Sequence, residues 1–393
     1  MSIIPHIDTL KSKLLGRDIG DGLHVEEYLT HGTFGAIFRV ADCDDARQLV
    51  LKVTLKSSHW EDESTLHYFL SNHPNIVTLH ENIDFGDYAA SLLDYCSGGS
   101  LHDLIYDHRE FAGDSTRIKS TLLQIIGALE HCHTNYVYHR DLKPLNILCN
   151  EDGSQVFLTD FGLATRHESS REHSIGTVAY MSPGIPSVLE DVRVNAYLLS
   201  SECYREKHSS PPTYPYSPEA NDVWSLGVLF LDLACGDRIW DAPCDADARY
   251  REFNADPSAF LRAEYPLNHR TRHLLLRILS PQPLRIPLKA LREEISSIDD
   301  FYLPDHEIAN STAQVQGNAM RYGPWTGLVD GLGGLPHGDS REGLFTDSNH
   351  TDSTGEFVDV DLATPENEPS HFHSEGFKVE EHLAPFIADL RIW

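Results

Sequence analysis

Apolar and polar positions change rhythm along the chain. The stretches "AIFRV" (36–40) and "LVLKVTL" (49–55) alternate every second residue, the period of a strand with one buried face. Further on, "RIKSTLLQIIGALEHC" sets Ile118, Leu122, Ile125, Leu129 and Cys132 three and four apart, which predicts an amphipathic helix. "NDVWSLGVLFLDLACG" is apolar nearly all round, so it predicts a helix at the centre of a lobe, with Asn221 as N-cap and Gly236 as its stop. The pattern is α+β, with a small β-rich lobe followed by a larger helical one.

Composition sets limits on this picture. From residue 299 to the end there are 18 Asp and Glu against 4 Lys and Arg, and "GPWTGLVDGLGGLPHGDS" has no period, so residues 309–393 read as a flexible acidic tail. Residues 1–23 read as an N-terminal extension of the folded part. The formal net charge of −29 argues against nucleic-acid backbones and anionic membranes as main partners. No stretch reaches membrane-spanning length. Seven cysteines are scattered without a CxxC pair, which fits a reducing cytoplasm or nucleus better than a disulfide framework.

Three segments carry candidate chemistry. In "THGTFGAIF", Gly32 and Gly35 let a strand turn approach phosphate oxygens, although two glycines three apart also make an ordinary hairpin; Thr30 stands where a full Gly-x-Gly-x-x-Gly pattern begins. On the next strand Val50 and Lys52 share a face opposite Leu49, Leu51 and Val53, and an inward lysine calls for an anion. The following helical segment offers Glu63, with Glu61 and Asp62 as rival partners. In "YVYHRDLKPLNILCNEDGSQVFLTDFGLA", a loop carries Asp141, Lys143 and Asn146, and a hairpin returns to Asp160. Asn146 and Asp160 are oxygen ligands suited to Mg²⁺ between ATP phosphates, and Asp141 is placed to orient a hydroxyl and take its proton.

In order, the Gly-rich turn, Lys52, Glu63, "LLDYCSGGSL", "HRDLKPLN", "DFG", "GTVAYMSP", "NDVWSLG" and "QPLRI" make the chain resemble a eukaryotic protein kinase of the serine/threonine type, over residues 24–308. The wording of "ALEHCHTNYVYHRDLKP" is most similar to fungal nutrient- and meiosis-signalling kinases. The resemblance implies a bilobal fold with an N-lobe at 24–94 and a C-lobe at 98–308, ATP and Mg²⁺ as cofactors, and protein Ser/Thr hydroxyls as substrates of a monomeric enzyme. It implies an ATP site lined by Leu29, Thr30, Gly32, Thr33, Phe34, Gly35, Ile37 and Val50, with Leu93 as gatekeeper. The backbone of Asp94–Cys96 would take the adenine, and Ser100 would lie near the ribose. Lys52 and Glu63 would hold the α/β-phosphates, Asn146 and Asp160 the metal, while Asp141 would be the base and Lys143 would neutralise the transferring phosphoryl group. His139, Phe161, His67 and Leu79 would stack as a spine, in which His67 replaces the usual apolar residue and is expected to loosen it. Asp222 would anchor the catalytic-loop backbone. Arg140 before the base points to a regulatory kinase acting on Ser169, Ser170 or Ser174, unless Glu168 or Glu172 already supplies the charge.

One motif is split. "YMSP" is followed by Gly184, and the acid that normally follows, expected to pair with Arg285, reappears at Glu202. Residues 184–201 therefore read as an eighteen-residue insertion or as a translated, unspliced intron. Doubling a loop costs only about 0.6 kcal/mol, whereas a buried arginine without its carboxylate costs about 3–5 kcal/mol, so folding should keep the Glu202–Arg285 pair. The alternative to an active kinase is a catalytically impaired ATP-binding scaffold.

Overall fold

The computed structural model describes residues 6–20, 22–32, 35–45, 47–56, 60–183, 215–282 and 284–325. The chain opens with α1 (Ile7–Leu14), β1 (Asp18–Ile19), β2 (Leu23–His31), β3 (Gly35–Asp42) and β4 (Gln48–Leu55). Helix α2 (Trp60–Leu70) crosses to β5 (Leu79–Phe85) and β6 (Tyr88–Asp94). The six strands form one antiparallel sheet in the order β1-β2-β3-β4-β6-β5. Its buried face follows the sequence alternation: Leu49, Leu51 and Val53 are buried while Val50 and Lys52 turn to the half-open side. Leu10 and Leu14 of α1 pack into the same core, so this helix is part of the small lobe rather than an extension outside it.

The large lobe is built on α3 (Ser115–Thr134) and α4 (Pro218–Cys235), with the hairpin β7 (Ile147–Cys149) and β8 (Val156–Leu158) at the cleft. Helices α5 (Ala248–Ala255), α6 (Pro257–Glu264), α7 (His269–Ile278) and α8 (Leu288–Ser297) surround them. The stripe expected on α3 is buried along its whole length. Helix α4 is buried nearly all round and stops at Gly236, whose φ of 59° suits a residue without Cβ. Its N-cap is Ser217, which accepts from the Ala220 amide with Pro218 at the first position. Asn221 lies inside the helix instead, and its side-chain oxygen takes the Ser182 amide at 2.9 Å.

The fold does not end at residue 308. After α9 (Asp305–Ala309), α10 (Ala313–Tyr322) is capped by Thr312 and buries Val315, Ala319 and Tyr322. The boundary drawn from composition thus falls inside the lobe, because acidic residues and glycine hide a helical stripe of only three residues. Residues 326–393, the segment 184–201, Glu202, Thr33 and Phe34 lie outside the described residues.

Candidate active site

The turn between β2 and β3 starts from paired strands: Thr30 faces Ile37 and His31 faces Ala36, and the Gly32 amide donates to Gly35 O at 2.9 Å. Thr30 is therefore paired backbone, just past a β-bulge that separates it from Tyr28 in the ladder. Leu29 and Ile37 lie on this hairpin and Val50 on the neighbouring strand. On the cleft's inner wall Val77, Leu79 and Leu93 are buried together, with Val50, Cys96, Leu148 and Phe157 packed on them. Burial, and after it the Asp94 charge, pushes the Cys96 thiol up to about 12, so it is an apolar surface at neutral pH. The Asp94 amide donates to Thr78 O at 3.1 Å, and its carboxylate meets His80 at 2.7 Å. Ser100 is engaged by Asp103, whose Oδ2 takes both its amide and its hydroxyl.

Lys52 projects from β4 between two carboxylates, with Nζ 2.9 Å from Asp160 Oδ1 and 3.3 Å from Glu63 Oε1. The side chains of Glu61 and Asp62 are not among those described. Burial works against the Lys52 charge, but Asp160 and Glu63 outweigh it and hold its pKa above the ordinary value. The Lys52 charge in turn lowers Asp160 to about 2, outweighing the desolvation of its half-open position. Asp160 follows β8 with φ 66°, a strained conformation for a residue carrying a Cβ. The Thr159 amide donates to Asn146 O at 3.0 Å, which brings the chain at Asp160 alongside Asn146.

Asp141 is enclosed by donors. Oδ1 accepts from the Thr177 amide and hydroxyl at 2.8 and 2.7 Å, and Oδ2 from Lys143 Nζ and Asn146 Nδ2 at 2.7 and 3.0 Å. Lys143 also reaches Thr177 Oγ1 at 2.7 Å. The sequence singled out Asp141, Lys143 and Asn146 but not Thr177 as a site residue. Its approach depends on Gly176, where φ is 112° and a Cβ would come within 2.4 Å of Arg140 O. The glycine before the threonine was the readable signal. Asn146 Nδ2 also donates to Asp141 O at 2.9 Å, so two bonds orient the amide and leave its oxygen available to a cation. An anionic Asp160 and an oriented amide oxygen are hard donors, a set that fits Mg²⁺.

The loop rests on α4. Asp222, fully buried, accepts the His139 and Arg140 amides at 2.9 and 2.8 Å, and His133 Nε2 at 2.9 Å. That support holds Arg140 at φ 67°. The Arg140 guanidinium meets Glu172 at 2.7 Å and donates from Nε to Leu163 O. Of the candidate serines, Ser170 is buried in a two-bond bridge with Tyr216. Phe161 lies between His67, tilted at 4.9 Å, and His139, edge-to-face at 5.2 Å between ring centroids. Arg285 is buried, donates to Ser280 O and Ala220 O, and lies 5.0 Å over the Trp224 ring.

A six-stranded antiparallel lobe over a helical lobe, with a lysine held between two carboxylates at the junction, defines a two-lobed phosphotransferase fold. The protein-kinase-domain family model matches residues 23–285, and the chain belongs to that family, whose phosphate donor is ATP. The chain is 34% identical over 295 residues to the "Negative regulator of sexual conjugation and meiosis" of Schizosaccharomyces pombe, a match covering 72% of this chain and 62% of the relative. It is 33% identical over 250 residues to serine/threonine-protein kinase VHS1 of Saccharomyces cerevisiae, covering 63% and 51%. The chain thus spans less than two-thirds of the length of these relatives.

Proposed function

We propose that the chain is a serine/threonine protein kinase that uses MgATP. The observation that carries this reading is Lys52 Nζ bridging Glu63 and Asp160 across the lobes. Lys52 then holds the α/β-phosphates, and the cleft wall of Val50, Leu79, Leu93 and Cys96 takes the adenine. Asn146 and Asp160 would hold Mg²⁺, which supplies charge neutralisation at the β- and γ-phosphates. Asp141 orients the substrate hydroxyl and accepts its proton as the oxygen bonds to the γ-phosphorus and ADP leaves; Lys143 faces the charge that develops. A hydroxyl that reaches both Asp141 and Lys143 already exists at this spot in Thr177, which supports the placement of an incoming Ser or Thr.

The Glu172–Arg140 contact favours a loop that carries its own countercharge, with modification by a regulatory kinase at Ser169 or Ser174 as an added control. The scattered cysteines, with no CxxC pair, are the ground for proposing a reducing, cytoplasmic setting. Among the described residues no helix is long and apolar enough to cross a membrane. The scaffold alternative leaned on residues 184–201, Thr30 and His67; Thr30 stays paired with Ile37 beside a β-bulge and His67 is packed against Phe161.

The test is transfer of labelled γ-phosphate from ATP to a basic Ser/Thr peptide. Asp141→Asn and Lys52→Met are each expected to lower kcat by about 100-fold or more, and the unfolding midpoint of Lys52→Met should stay close to that of the unaltered chain because the Lys52 pairs are partly solvated. ATP binding without transfer in the unaltered chain would sink the reading.

A further inference from the structure

Helix α2 carries a contact that nucleotide chemistry does not require. His67 lies one turn beyond Glu63, on the same helix face. It is only 5% exposed, its ring packs at a tilt against Phe161, and Nε2 is 2.8 Å from Val77 O. A carbonyl can only accept, so the proton sits on Nε2. Four residues on, Ser71 Oγ donates to His67 O at 2.8 Å and accepts the Leu79 amide at 2.9 Å. Two polar ties thus join the end of α2 to residues 77–79.

Those residues are themselves fixed to the large lobe. The Val77 amide donates to Leu158 O at 3.0 Å, and Ile76 bridges to Leu158, two residues before Asp160. A path of hydrogen bonds therefore runs from α2 through Val77 to the strand that delivers Asp160. An apolar side chain at 67 could fill the same space against Phe161, but it would leave Val77 O without this donor. The replacement expected to loosen the spine instead adds a directional tie.

We propose that His67 is a positioning residue: its bond to Val77 O, backed by Ser71, latches α2 where Glu63 meets Lys52, so that the chain sets this helix without a partner protein pressing on it. The proposal rests on the kinase reading for its effect on rate, but the latch can be measured apart from it.

The test compares His67→Leu, His67→Gln and Ser71→Ala in the full chain. Glutamine places an N–H donor at the same remove from the backbone as Nε2. Hydrogen–deuterium exchange of the α2 amides without ATP reads the latch, and peptide phosphorylation reads its consequence. His67→Leu is expected to speed exchange by about tenfold and to lower kcat by about tenfold with little change in KM for ATP. His67→Gln should recover most of both. Should His67→Leu fail to fold, Ser71→Ala, which leaves the ring in place, must still speed exchange. Wild-type exchange in His67→Leu, or no difference between Leu and Gln, overturns the latch. Loss of transfer in the unaltered chain with the exchange order kept would remove the kinase reading and leave the latch standing. An active chain, dead as Asp141→Asn, whose His67 variants exchange normally would do the reverse.

Discussion

Two regions of the molecule move the same side chain in opposite directions. In the cleft, Asp160 is 45% exposed and the Lys52 charge lowers its pKa to about 2. On α4 in the large lobe, Asp232 is fully buried, and burial raises it to about 7 although Tyr180 donates to it at 2.6 Å. A cleft that must admit a charged ligand stabilises its carboxylate by opposite charge. A closed core disfavours a carboxylate's charge by desolvation, and the Tyr180 hydroxyl offsets only part of that cost. The contrast extends to the working parts: Lys52 and Glu63 are 23% and 30% exposed and meet across elements, whereas the Asp141 loop is saturated with hydrogen bonds and seated on a buried helix.

The largest expected effect lies in the enclosed region. Asp222→Ala leaves the buried His139 and Arg140 amides without an acceptor at about 1–3 kcal/mol each, so the chain should lose about 3 kcal/mol or more of stability together with activity. Urea unfolding measures this, and a loss under about 1 kcal/mol would break the contrast. A smaller effect is expected where a charge is half open to solvent. Glu172→Gln should lower kcat by about fivefold and leave stability within about 1 kcal/mol, since the Arg140 partner is a surface carboxylate. If phosphate added to the loop restored the rate, the Glu172 charge would be confirmed as what Arg140 requires.

The smallest effect concerns pH. A carboxyl with a raised pKa in the folded state binds its proton more tightly there than when unfolded, so its contribution to stability falls as pH rises from about 4 towards 7. Asp232→Asn should therefore reduce the drop in Tm between pH 5 and pH 8. An unchanged drop would mean that Asp232 is ionised in both states and that enclosure does not govern it.

Much of this arrangement was legible from residue order. The alternation around Lys52 gave the strand and its half-open face, and the stripe from Ile118 to Cys132 gave α3, because both depend on burial of one face. Contacts that depend on backbone angle were not legible. Thr177 reaches Asp141 only through the φ of Gly176, and Arg140 and Asp160 adopt left-handed angles that no residue type announces. The start of α4 was misplaced by four residues because Asn221 and Ser217 are both good caps, and the pairing of Pro218 with Ser217 settles the competition. His67 was legible as an exception but not in its sense, since whether a polar side chain weakens or ties a packed stack depends on a carbonyl ten residues away.

The closing helix has a practical corollary. Ile308, Ala319 and Trp325 form their own apolar cluster, Tyr322 joins the main core, and the Asn318 amide ties to Glu264 O. A recombinant fragment trimmed at residue 308 would open this seam and invite self-association, whereas one carried through Trp325 would retain it. Design of an expressible kinase domain should begin from that difference.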